Sequence, residues 1–501
     1  MVNKDGSITI TDFQNGIGQS LILGNESIIG CDIVDELGIL KIKERSTLDS
    51  TRANDDSYFT VTGLPIADVT DNSNHRTILT DNGVLFSGSN ADFFEASNLS
   101  LGWDAVVWNS SYTLVSYAQS GVGYIGVLNW TGVGNEWNPG VIGSLTGTHA
   151  IKLLMAQDGF CYFTNGDKIG RITAVTTSGG GTTSATSTSN ALDLPRDVYA
   201  VTMAELGSSL LIGTQKGSSY SVKANYNFAN VYPWDRTSAS FRLPVQIREN
   251  AVNAMIQKDN QVFISAGNGG AIYQTDGVNY QKIKEIPFSK VKKFGPSAQV
   301  YLNAMCINQE GNLLVATSTL SDSYPNTITK HGVWEIKLSS GYPIDLAYTL
   351  INGSLGDANP IYIGYVTTSG YDATVFGTKE GSVGQIVTTD FYKNTDYKAT
   401  FDSRLMIVGN ADDKKSYQTL RFTFAEPLIA GQGIKVSYRK NGDATYTLIG
   451  TFDFATIGGV ISHTTRALIA DAEMLQIRIQ LTQSSTTPFP ANTKLLTLSI
   501  L

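Results

Sequence analysis

The sequence has 501 residues, more than one ordinary hydrophobic core accommodates, which predicts either two domains or one large closed architecture. Its 49 Gly, 23 Tyr and 20 Phe, with only 16% charged residues, favour strands and tight turns over amphipathic helices. The net charge of −8 argues against a nucleic-acid-binding surface, because phosphate recognition requires clustered Lys and Arg.

The first 60 residues are predicted to form N-terminal strands that join the domain that follows. The opening segment, Met1–Gly6, lacks the charged and apolar regions of a signal peptide, and no 18-residue apolar stretch occurs in the sequence. We therefore expect synthesis in a cytoplasm and no membrane span. Cys31, Cys161 and Cys306 are far apart and odd in number, which predicts small buried thiols rather than a disulfide framework.

A repeated pattern occupies residues 61–399. Its order is a small residue, a polar turn, an apolar strand and a small-residue stop, and in the clearest pair Asn303–Met305 repeats Asn253–Met255 50 residues later. Seven candidate copies lie at Thr77–Gly88, Ala105–Tyr117, Ala150–Thr164, Ala200–Thr214, Asn253–Ala266, Asn303–Thr317 and Ile361–Thr378.

Several copies continue through a Gly-containing turn into another strand, as at Lys216–Gly217 before Tyr220–Val222 and at Glu380–Gly381 before Val383–Ile386. Such turns between apolar runs are a hairpin signal, because the primed turns need the positive φ that Gly tolerates. Each copy is therefore predicted to be a meander, and a closed ring of meanders buries faces that one alone cannot. The prediction is an all-β fold with a β-propeller of about seven blades over residues 61–399. Five or six blades would also accommodate the irregular ends, and consecutive β-sandwich domains are the alternative architecture.

One segment inside this region, Thr176–Asn190, does not follow the repeat. It contains Ser178–Gly181 and then only small polar residues, which cannot bury a core. We predict a mobile loop within a blade.

The pattern changes near residue 400 to longer, cleanly alternating strands. Arg, Lys and Gln occupy one face of each strand, which predicts one wet face and one packed face, as in a small β-sandwich over residues 400–501. The strands and the hairpin signal lie at Thr419–Phe424, Ile434–Arg439, Asn441–Gly442 and Leu475–Leu481.

The sequence predicts no catalytic, cofactor-binding or metal-binding residues, and we expect a protein that is not an enzyme. Ser178–Gly181 is not followed by the Lys and Ser/Thr of a phosphate-binding loop. Lys290–Lys293 is the nearest approach to a basic run, and we interpret it as a solvated loop. The histidines show no metal-ligand or triad spacing and are interpreted as surface or turn residues; they are His75, His149, His331 and His463.

Two further features are compatible with carbohydrate chemistry. Tyr273–Tyr280 resembles the Asp-box turn of sialidase-like propellers, which is a structural turn between outer strands, so the resemblance implies a propeller rather than hydrolysis. A glycosidase, the enzymatic alternative, would need two facing carboxylates. The six tryptophans could build a sugar-binding platform, although core packing between blades is the favoured interpretation.

Three segments share a pattern with one group of proteins. Ile10–Ser20 contains an Asp-Phe-x-x-Gly start, Cys31–Lys41 contains an Asp-Ile followed by Gly-Ile-Leu-Lys, and Phe401–Ser403 enters the alternating C-terminal strands. In these segments the chain resembles the propeller-type structural proteins of tailed-bacteriophage virions. Leu37 stands where those proteins have a Pro.

The resemblance implies a structural component of a virion tail, similar to a nozzle or hub and assembled as a ring of copies. Its implied partners are copies of itself and other tail or head-to-tail connector proteins, without sequence-specific nucleic-acid binding. An acidic surface could line the DNA exit path, because like charge prevents adhesion. The alternative is a tail fibre or spike component that binds a host-surface receptor or glycan. In either case the location is the virion, and no catalytic residues are implied.

Overall fold

The structure is a computed structural model, and the residues that it describes are 7–10, 28–29, 31–34, 39–42, 46–48, 66–72, 75–80, 84–89, 92–98, 101–130, 136–147, 149–178, 182–217, 228–267, 269–286, 298–308, 310–319, 332–338, 342, 344–349, 360–368, 371–378, 383–388, 398–403, 406–408, 414–441, 443, 445–483 and 493–501. Among them, strand predominates and the helical content is one four-residue helix, Phe454–Ile457. The predicted all-β class is therefore confirmed.

The strands share the short lengths and close sequence spacing typical of meanders. In chain order they are β1 (Ile8–Ile10), β2 (Ile28–Ile29), β3 (Cys31–Val34), β4 (Ile39–Ile42), β5 (Ser46–Leu48), β6 (Ile66–Asn72), β7 (His75–Thr80), β8 (Val84–Ser89), β9 (Asp92–Asn98), β10 (Leu101–Asn109), β11 (Tyr112–Gln119), β12 (Val122–Asn129), β13 (Glu136–Thr146), β14 (Leu153–Met155), β15 (Cys161–Asn165), β16 (Lys168–Thr177), β17 (Thr183–Asp193), β18 (Val198–Leu206), β19 (Ser209–Lys216), β20 (Ala229–Trp234), β21 (Val245–Ile247), β22 (Val252–Lys258), β23 (Gln261–Ala266), β24 (Ala271–Thr275), β25 (Tyr280–Glu285), β26 (Ala298–Gln299), β27 (Met305–Ile307), β28 (Leu313–Thr319), β29 (Gly332–Ile336), β30 (Ile344–Thr349), β31 (Pro360–Thr368), β32 (Tyr371–Thr378), β33 (Val383–Thr388), β34 (Lys398–Asp402), β35 (Met406–Ile407), β36 (Lys415–Phe424), β37 (Gln432–Lys440), β38 (Thr447–Asp453), β39 (Ser462–Ala472), β40 (Met474–Gln483) and β41 (Lys494–Ile500).

The chain divides into two compact units that do not follow chain order. Unit 1 comprises residues 1–47, 334–348 and 388–501, and unit 2 comprises residues 48–333 and 349–387. The domain borders predicted after residues 60 and 399 stay predictions.

Unit 2 consists mainly of four-stranded sheets. Five of them are antiparallel meanders of consecutive strands, namely β6–β9, β10–β13, β14–β17, β18–β21 and β22–β25. A sixth sheet has the order β31–β32–β33–β5, so its last strand comes from much earlier in the chain. In addition, β26 and β27 each pair with β28. The meanders predicted from the repeat are confirmed where these strands are described.

Local turn chemistry explains where the hairpins reverse. Asn109 ends β10, and its Oδ1 accepts hydrogen bonds from the backbone N–H groups of Ser111 (2.8 Å) and Tyr112 (3.1 Å). Between β14 and β15, Gly159 adopts a φ of +81°, and its N–H donates to the carbonyl of Ala156 at 3.0 Å. Only glycine takes that backbone conformation without strain, so the sequence fixes this reversal.

The first strands of the sheets in unit 2 lie side by side. β6 lies against β10, β10 against β14, β14 against β18, β18 against β22, β22 against β27, and β27 against β31; β31 in turn lies against β6. Apolar side chains of neighbouring sheets interlock beside these strands. Leu114 packs in one cluster with Phe163, and the ring of Tyr162 meets the edge of Trp234 at 5.8 Å. Each fully buried side chain of this size contributes about 1.5–3 kcal/mol of transfer free energy.

Two sequence predictions within unit 2 are corrected by the strands. The candidate copy Thr77–Gly88 covers β7 and β8, the second and third strands of its sheet, whereas Ala105–Tyr117 covers the first and second strands, β10 and β11. The pattern match at Thr77–Gly88 is thus shifted by one strand, because adjacent strands of a meander carry the same apolar-to-small motif.

The predicted mobile loop at Thr176–Asn190 is wrong. β16 continues to Thr177, and β17 begins at Thr183 and pairs with β16 from Thr183 to Thr188 and again at Leu192 and Asp193. The hydroxyl oxygens of Thr177 and Thr183 lie 3.0 Å apart, and backbone pairing satisfies the peptide groups of β17 that face β16. Small polar side chains suffice here because β17 is the outer strand of its sheet and needs no core on its exposed side. Residues 179–181 of the predicted loop lie outside the described residues.

Unit 1 contains two sheets. One has the order β3–β4–β41–β36–β39 with β1 on β41, and the other has the order β29–β30–β2–β34–β40–β37–β38 with β35 on β40. Alternation from Thr419 to Phe424 in β36 buries Leu420, Phe422 and Phe424, as the period-two pattern predicts, whereas Tyr417 is buried on the other side of a register shift between Tyr417 and Thr419. The three predicted C-terminal strands are confirmed as parts of β36, β37 and β40.

The polar face of β40 is less wet than predicted. Gln476 is fully buried, and its side chain donates to the carbonyl of Ser403 at 2.6 Å. Arg478 binds both carboxylate oxygens of Asp402, at 2.6 and 2.7 Å, and its guanidinium lies 3.8 Å from the ring centroid of Tyr446. These polar side chains satisfy one another, so they do not need the solvent that the alternating pattern suggested.

Candidate functional site at the first strands of unit 2

A buried charged cluster joins three sheets of unit 2. Asp104 lies on β10, Lys152 immediately precedes β14, and Asn303 lies two residues before β27; we call these residues the three-sheet cluster. The Nζ atom of Lys152 donates to Asp104 Oδ1 at 3.0 Å and to Asn303 Oδ1 at 2.8 Å. Asn303 Nδ2 donates to the carbonyl of Trp103 at 3.0 Å, so the amide side chain is used at both ends.

Backbone groups complete the cluster. The N–H of Leu153 donates to Asp104 Oδ2 at 2.6 Å, which gives the second carboxylate oxygen its own partner. Ser116 Oγ lies within hydrogen-bond distance of the carbonyls of Ile151 (2.6 Å) and Asp104 (3.2 Å). These bonds hold the chain on either side of Lys152 against β10 and β11, and they set the direction of the lysine side chain.

Burial dominates the electrostatics of the cluster. The side chain of Asp104 is 2% exposed and that of Lys152 is 19% exposed. Burial raises the pKa of the Asp104 carboxyl above its ordinary value, and the charge of Lys152 and the N–H of Leu153 oppose that rise. The arrangement therefore places an ion pair inside the protein, with the carboxylate buried and the lysine side chain mostly buried.

A second ionic group joins consecutive sheets farther along the strands. Glu205 of β18 accepts hydrogen bonds from Arg236 (2.5 Å) and from the backbone N–H of Gln157 (3.0 and 3.1 Å). The same guanidinium nitrogen of Arg236 lies 3.5 Å from Asp158, which accepts a 2.7 Å hydrogen bond from the hydroxyl of Tyr162. Burial and the neighbouring Asp158 raise the pKa of Tyr162 to about 12. Arg236 itself has a φ of +69°, a conformation that the adjacent turn imposes.

The turn at Asp235, next to Arg236, and the turn at Asp276, in the predicted Asp box, have the same hydrogen-bond pattern. Asp276 lies between β24 and β25, and its carboxylate accepts from the backbone N–H groups of Val278 (2.9 Å) and Asn279 (2.7 Å), which lower its pKa to about 2. Asp235, between β20 and β21, accepts in the same way from Thr237 and Ser238. The Asp box is confirmed as a structural turn between the third and fourth strands of a sheet.

The cysteines and histidines take varied positions. Cys161 and Cys306 are buried free thiols, as predicted, and burial raises the pKa of Cys161 to about 12. The side chain of Cys31 lies outside the described residues, as do the side chain of His75 and all of His331. The ring of His149 stacks on Tyr199 at 4.3 Å, and that of His463 lies 5.4 Å from Phe422. His463 lies in strand β39 and not in a turn, and its ring is half-buried against Phe422.

The tryptophans are packing residues, and core packing rather than a sugar platform is confirmed. Trp103, Trp130, Trp234 and Trp334 are buried, and the remaining two pack against the apolar clusters of unit 2; they are Trp108 and Trp137. The predicted basic loop Lys290–Lys293 lies outside the described residues.

Within the described ranges, no group of three His, Cys, Asp or Glu side chains is placed to hold a metal ion. Over the same ranges, no helix has both the length and the apolar character needed to cross a membrane.

Sequence reasoning missed the three-sheet cluster and the Glu205 group. A usable signal existed for Asp104, because a single carboxylate in the apolar run Leu101–Trp108 predicts a buried charge with a partner. No local pattern indicates that the partner of Asp104 is Lys152, and the sequence marks Asn303 only as part of the repeat.

Comparison with known proteins gives no family. No family model matches the chain, and no curated protein matches it. Among solved structures, the computationally designed Ika8 protein matches at 11% identity and a TM-score of 0.39, covering 66% of this chain and 99% of that one. A chain of the mitotic checkpoint complex matches at 9% identity and a TM-score of 0.43, covering 67% and 95%. The extracellular domain of a one-component system from B. thetaiotaomicron matches at 12% identity and a TM-score of 0.42, covering 76% of this chain and 44% of that one. Similarities at these TM-scores carry no argument about function.

Proposed function

We propose that the chain is a structural component of a tailed-bacteriophage virion tail, similar to a nozzle or hub, in which several copies assemble as a ring. The proposed architecture is a closed seven-bladed β-propeller in unit 2 and a β-sandwich in unit 1. The virion role rests on the sequence resemblance at Ile10–Ser20, Cys31–Lys41 and Phe401–Ser403. The propeller rests on the contacts of the first strands.

The observation that carries the propeller is the return of these contacts to their start. They run from β6 through β10, β14, β18, β22 and β27 to β31, and β31 lies against β6. The pairing of β5 with β33 adds a strand from before the first sheet to the last one, which would fasten the two ends of the ring. A closed ring explains how each sheet covers the apolar faces of its neighbours.

The β-sandwich rests on aromatic contacts between the two sheets of unit 1. The ring centroid of Phe422 on β36 lies 5.0 Å from that of Phe452 on β38, and His463 on β39 lies 5.8 Å from Phe452. β36 and β39 belong to one sheet and β38 to the other, so side chains of both sheets share a core.

The three-sheet cluster supports a structural role and refines the proposed DNA path. In a seven-bladed ring, the sheet that follows Asn303 faces those of Asp104 and Lys152 across the middle. Their hydrogen bonds would therefore occupy the centre of one propeller at this level. Any path for DNA would run between copies in the ring rather than through a single chain.

Purified particles test this function directly. Mass spectrometry of the virion should detect the chain in several copies, and a map of the particle should place those copies around the tail axis. A chain that is absent from purified particles, or present as one copy without symmetric neighbours, contradicts the proposal. A map in which unit 2 is a row of separate sandwiches contradicts the propeller but leaves the virion role to be judged by the copy number.

A second candidate is a fibre or spike component that binds a host receptor or glycan. The observation in its favour is the hairpin of β16 and β17, whose outer strand exposes Ser and Thr hydroxyls from Thr186 to Ser189. A glycan array probed with the whole chain checks it: selective glycan binding that is lost when Thr186–Ser189 become alanine supports the second candidate over the first.

A further inference from the structure

β17 is a long open edge of its sheet. It is the last strand in the order β14–β15–β16–β17 and has 11 residues. The side chains of Ser184 and of Thr186–Asn190 are exposed. Within the part of the chain that the structure describes, β17 pairs with β16 alone, so its outer row of peptide groups faces away from the sheet.

Other outer strands of unit 2 carry features that block pairing with another chain. β13 contains Pro139 and two shifts of register, β21 has only three residues, and β25 carries Lys282, Lys284 and Glu285. Proline, irregularity, shortness and charge are the usual protections of a sheet edge. From Thr183 to Thr188, β17 is uncharged, lacks proline and is six residues long, and the single register shift with β16 in this stretch places its extra residue, Thr173, on β16 and not on the edge strand.

We propose that β17 is the edge at which two copies of this chain pair, antiparallel across a two-fold axis. An antiparallel pairing of identical strands is self-complementary: if residue i of one copy lies opposite residue j of the other, then residue j of the first copy lies opposite residue i of the second. When Thr183–Thr188 pairs with itself, Thr183 lies opposite Thr188 and Ser184 opposite Ser187, which are favourable cross-strand combinations, and Ala185 lies opposite Thr186.

Charge favours a second copy as the occupant. The chain has a net charge of −8, so two copies repel across most surfaces that they could share. The segment Thr183–Ala191 brings no charge to the contact, and two copies can therefore approach here without placing carboxylates together. Three residues of β17 bulge between the pairs Arg171–Thr188 and Ile169–Leu192, which confines regular pairing to Thr183–Thr188.

This contact does not depend on the proposed tail function. A two-fold contact joins pairs of copies, whereas a ring is closed by head-to-tail contacts. Either can therefore fail while the other holds.

Sedimentation of the full chain over a range of concentrations tests the pairing. The wild type should form a dimer, and Thr186→Lys should weaken that association by about tenfold or more, because the two ammonium groups, each opposite Ala185 of the other copy, then lie close together on either side of the axis. Thr176→Lys is the matched control: it adds the same charge to the neighbouring strand β16, where Thr176 is exposed but not at the edge. Unchanged melting temperatures would show that both variants fold.

Hydrogen exchange and cross-linking locate the contact. Backbone amides of Thr183–Thr188 should gain protection as the concentration of the chain rises. Thr186→Cys in a Cys31→Ser background should cross-link to the same residue of the other copy with a short thiol reagent, and the two remaining cysteines, Cys161 and Cys306, are buried.

Three results would overturn the inference. They are a monomer at all concentrations, equal weakening by Thr176→Lys, and an assembly larger than a dimer that Thr186→Lys leaves unchanged. The last of these would still support the ring, so the two proposals are distinguished.

Discussion

Replacement of Lys152 by methionine tests the three-sheet cluster. The substitution keeps the length of the side chain but removes the ammonium that lies 3.0 Å from the Asp104 carboxylate. Asp104, 2% exposed, would then keep the Leu153 N–H and the Asn303 side chain as hydrogen-bond partners but would have no cation beside it. Removing one partner of a buried ion pair costs about 3 to 5 kcal/mol, because the remaining charge is left without compensation. We expect K152M to lower the free energy of unfolding by that amount at pH 7 in a urea titration.

The pH dependence gives the same prediction a second measurement. Burial raises the folded-state pKa of Asp104, and loss of the lysine raises it further. The folded variant then binds a proton more readily than the unfolded chain, so its stability recovers as the pH falls through the folded pKa. The deficit of K152M relative to wild type should shrink between pH 7 and pH 4.

A surface pair supplies the matched control. Lys168 lies 3.9 Å from Asp193, with both side chains more than a third exposed. Lys168→Met should change the free energy of unfolding by no more than about 0.5 kcal/mol, because exposed pairs are screened by water. The reasoning would be refuted if K152M cost no more than Lys168→Met, or if its cost were the same at pH 4 and pH 7.

Three further substitutions and one control probe other contacts by the same urea titration. Arg236→Met should lower stability by about 3 to 5 kcal/mol, because it leaves the Glu205 carboxylate buried without a cation. Lys284→Met should raise the free energy of unfolding at pH 7 by up to about 3 kcal/mol. Burial lowers the pKa of Lys284 from 10.5 to about 8, because the charged form loses its hydration in the folded state. The charge therefore destabilises the fold fully below pH 8, and this destabilisation disappears between pH 8 and pH 10.5. No gain at pH 7, or one that persists at pH 10.5, would contradict this. Gly170→Ala should cost about 1 to 3 kcal/mol, since its Cβ would lie 2.0 Å from a buried phenylalanine ring, whereas Gly269→Ala meets no atom within 4 Å and should cost little.

The sequence predicted those parts of the fold that local signals encode. The hairpin at Asn109 depends on its own side chain and the next three residues, and the turn at Gly159 depends on one positive φ. The alternation from Thr419 to Phe424 in β36 shows which side chains of that stretch are buried. Each of these features is complete within a short window, so composition and periodicity were sufficient to predict them.

The predictions were wrong where the structure of a segment depends on strands that are distant from it in the sequence. Thr183–Asp193 has the composition of a loop, and it is a strand because β16 lies beside it. Likewise, the polar residues of β40 suggested a wet face, yet Gln476 is buried because Ser403 and Arg439 satisfy it. In both cases tertiary contacts outweigh residue preference.

The candidate site depended even more on distant contacts. Asp104, Lys152 and Asn303 are separated by up to 199 positions in the numbering, and hydrogen bonds of 2.8 to 3.0 Å join them only after three sheets have formed. No spacing rule links such residues, because the geometry that brings them together belongs to the assembled sheets. A lone charge in an apolar strand indicated that a partner exists but not which one.

The pairing of β5 with β33 can form only late in the synthesis of the chain. One of these strands leaves the ribosome early, and the other leaves it only after the intervening sheets have been translated. Until then the peptide groups of β5 that will pair with β33 have no partner strand, and a contact between such distant positions forms slowly. Nascent chains that end before residue 383 should therefore be cleaved readily by proteases near β5, whereas the same residues resist cleavage in the full-length protein.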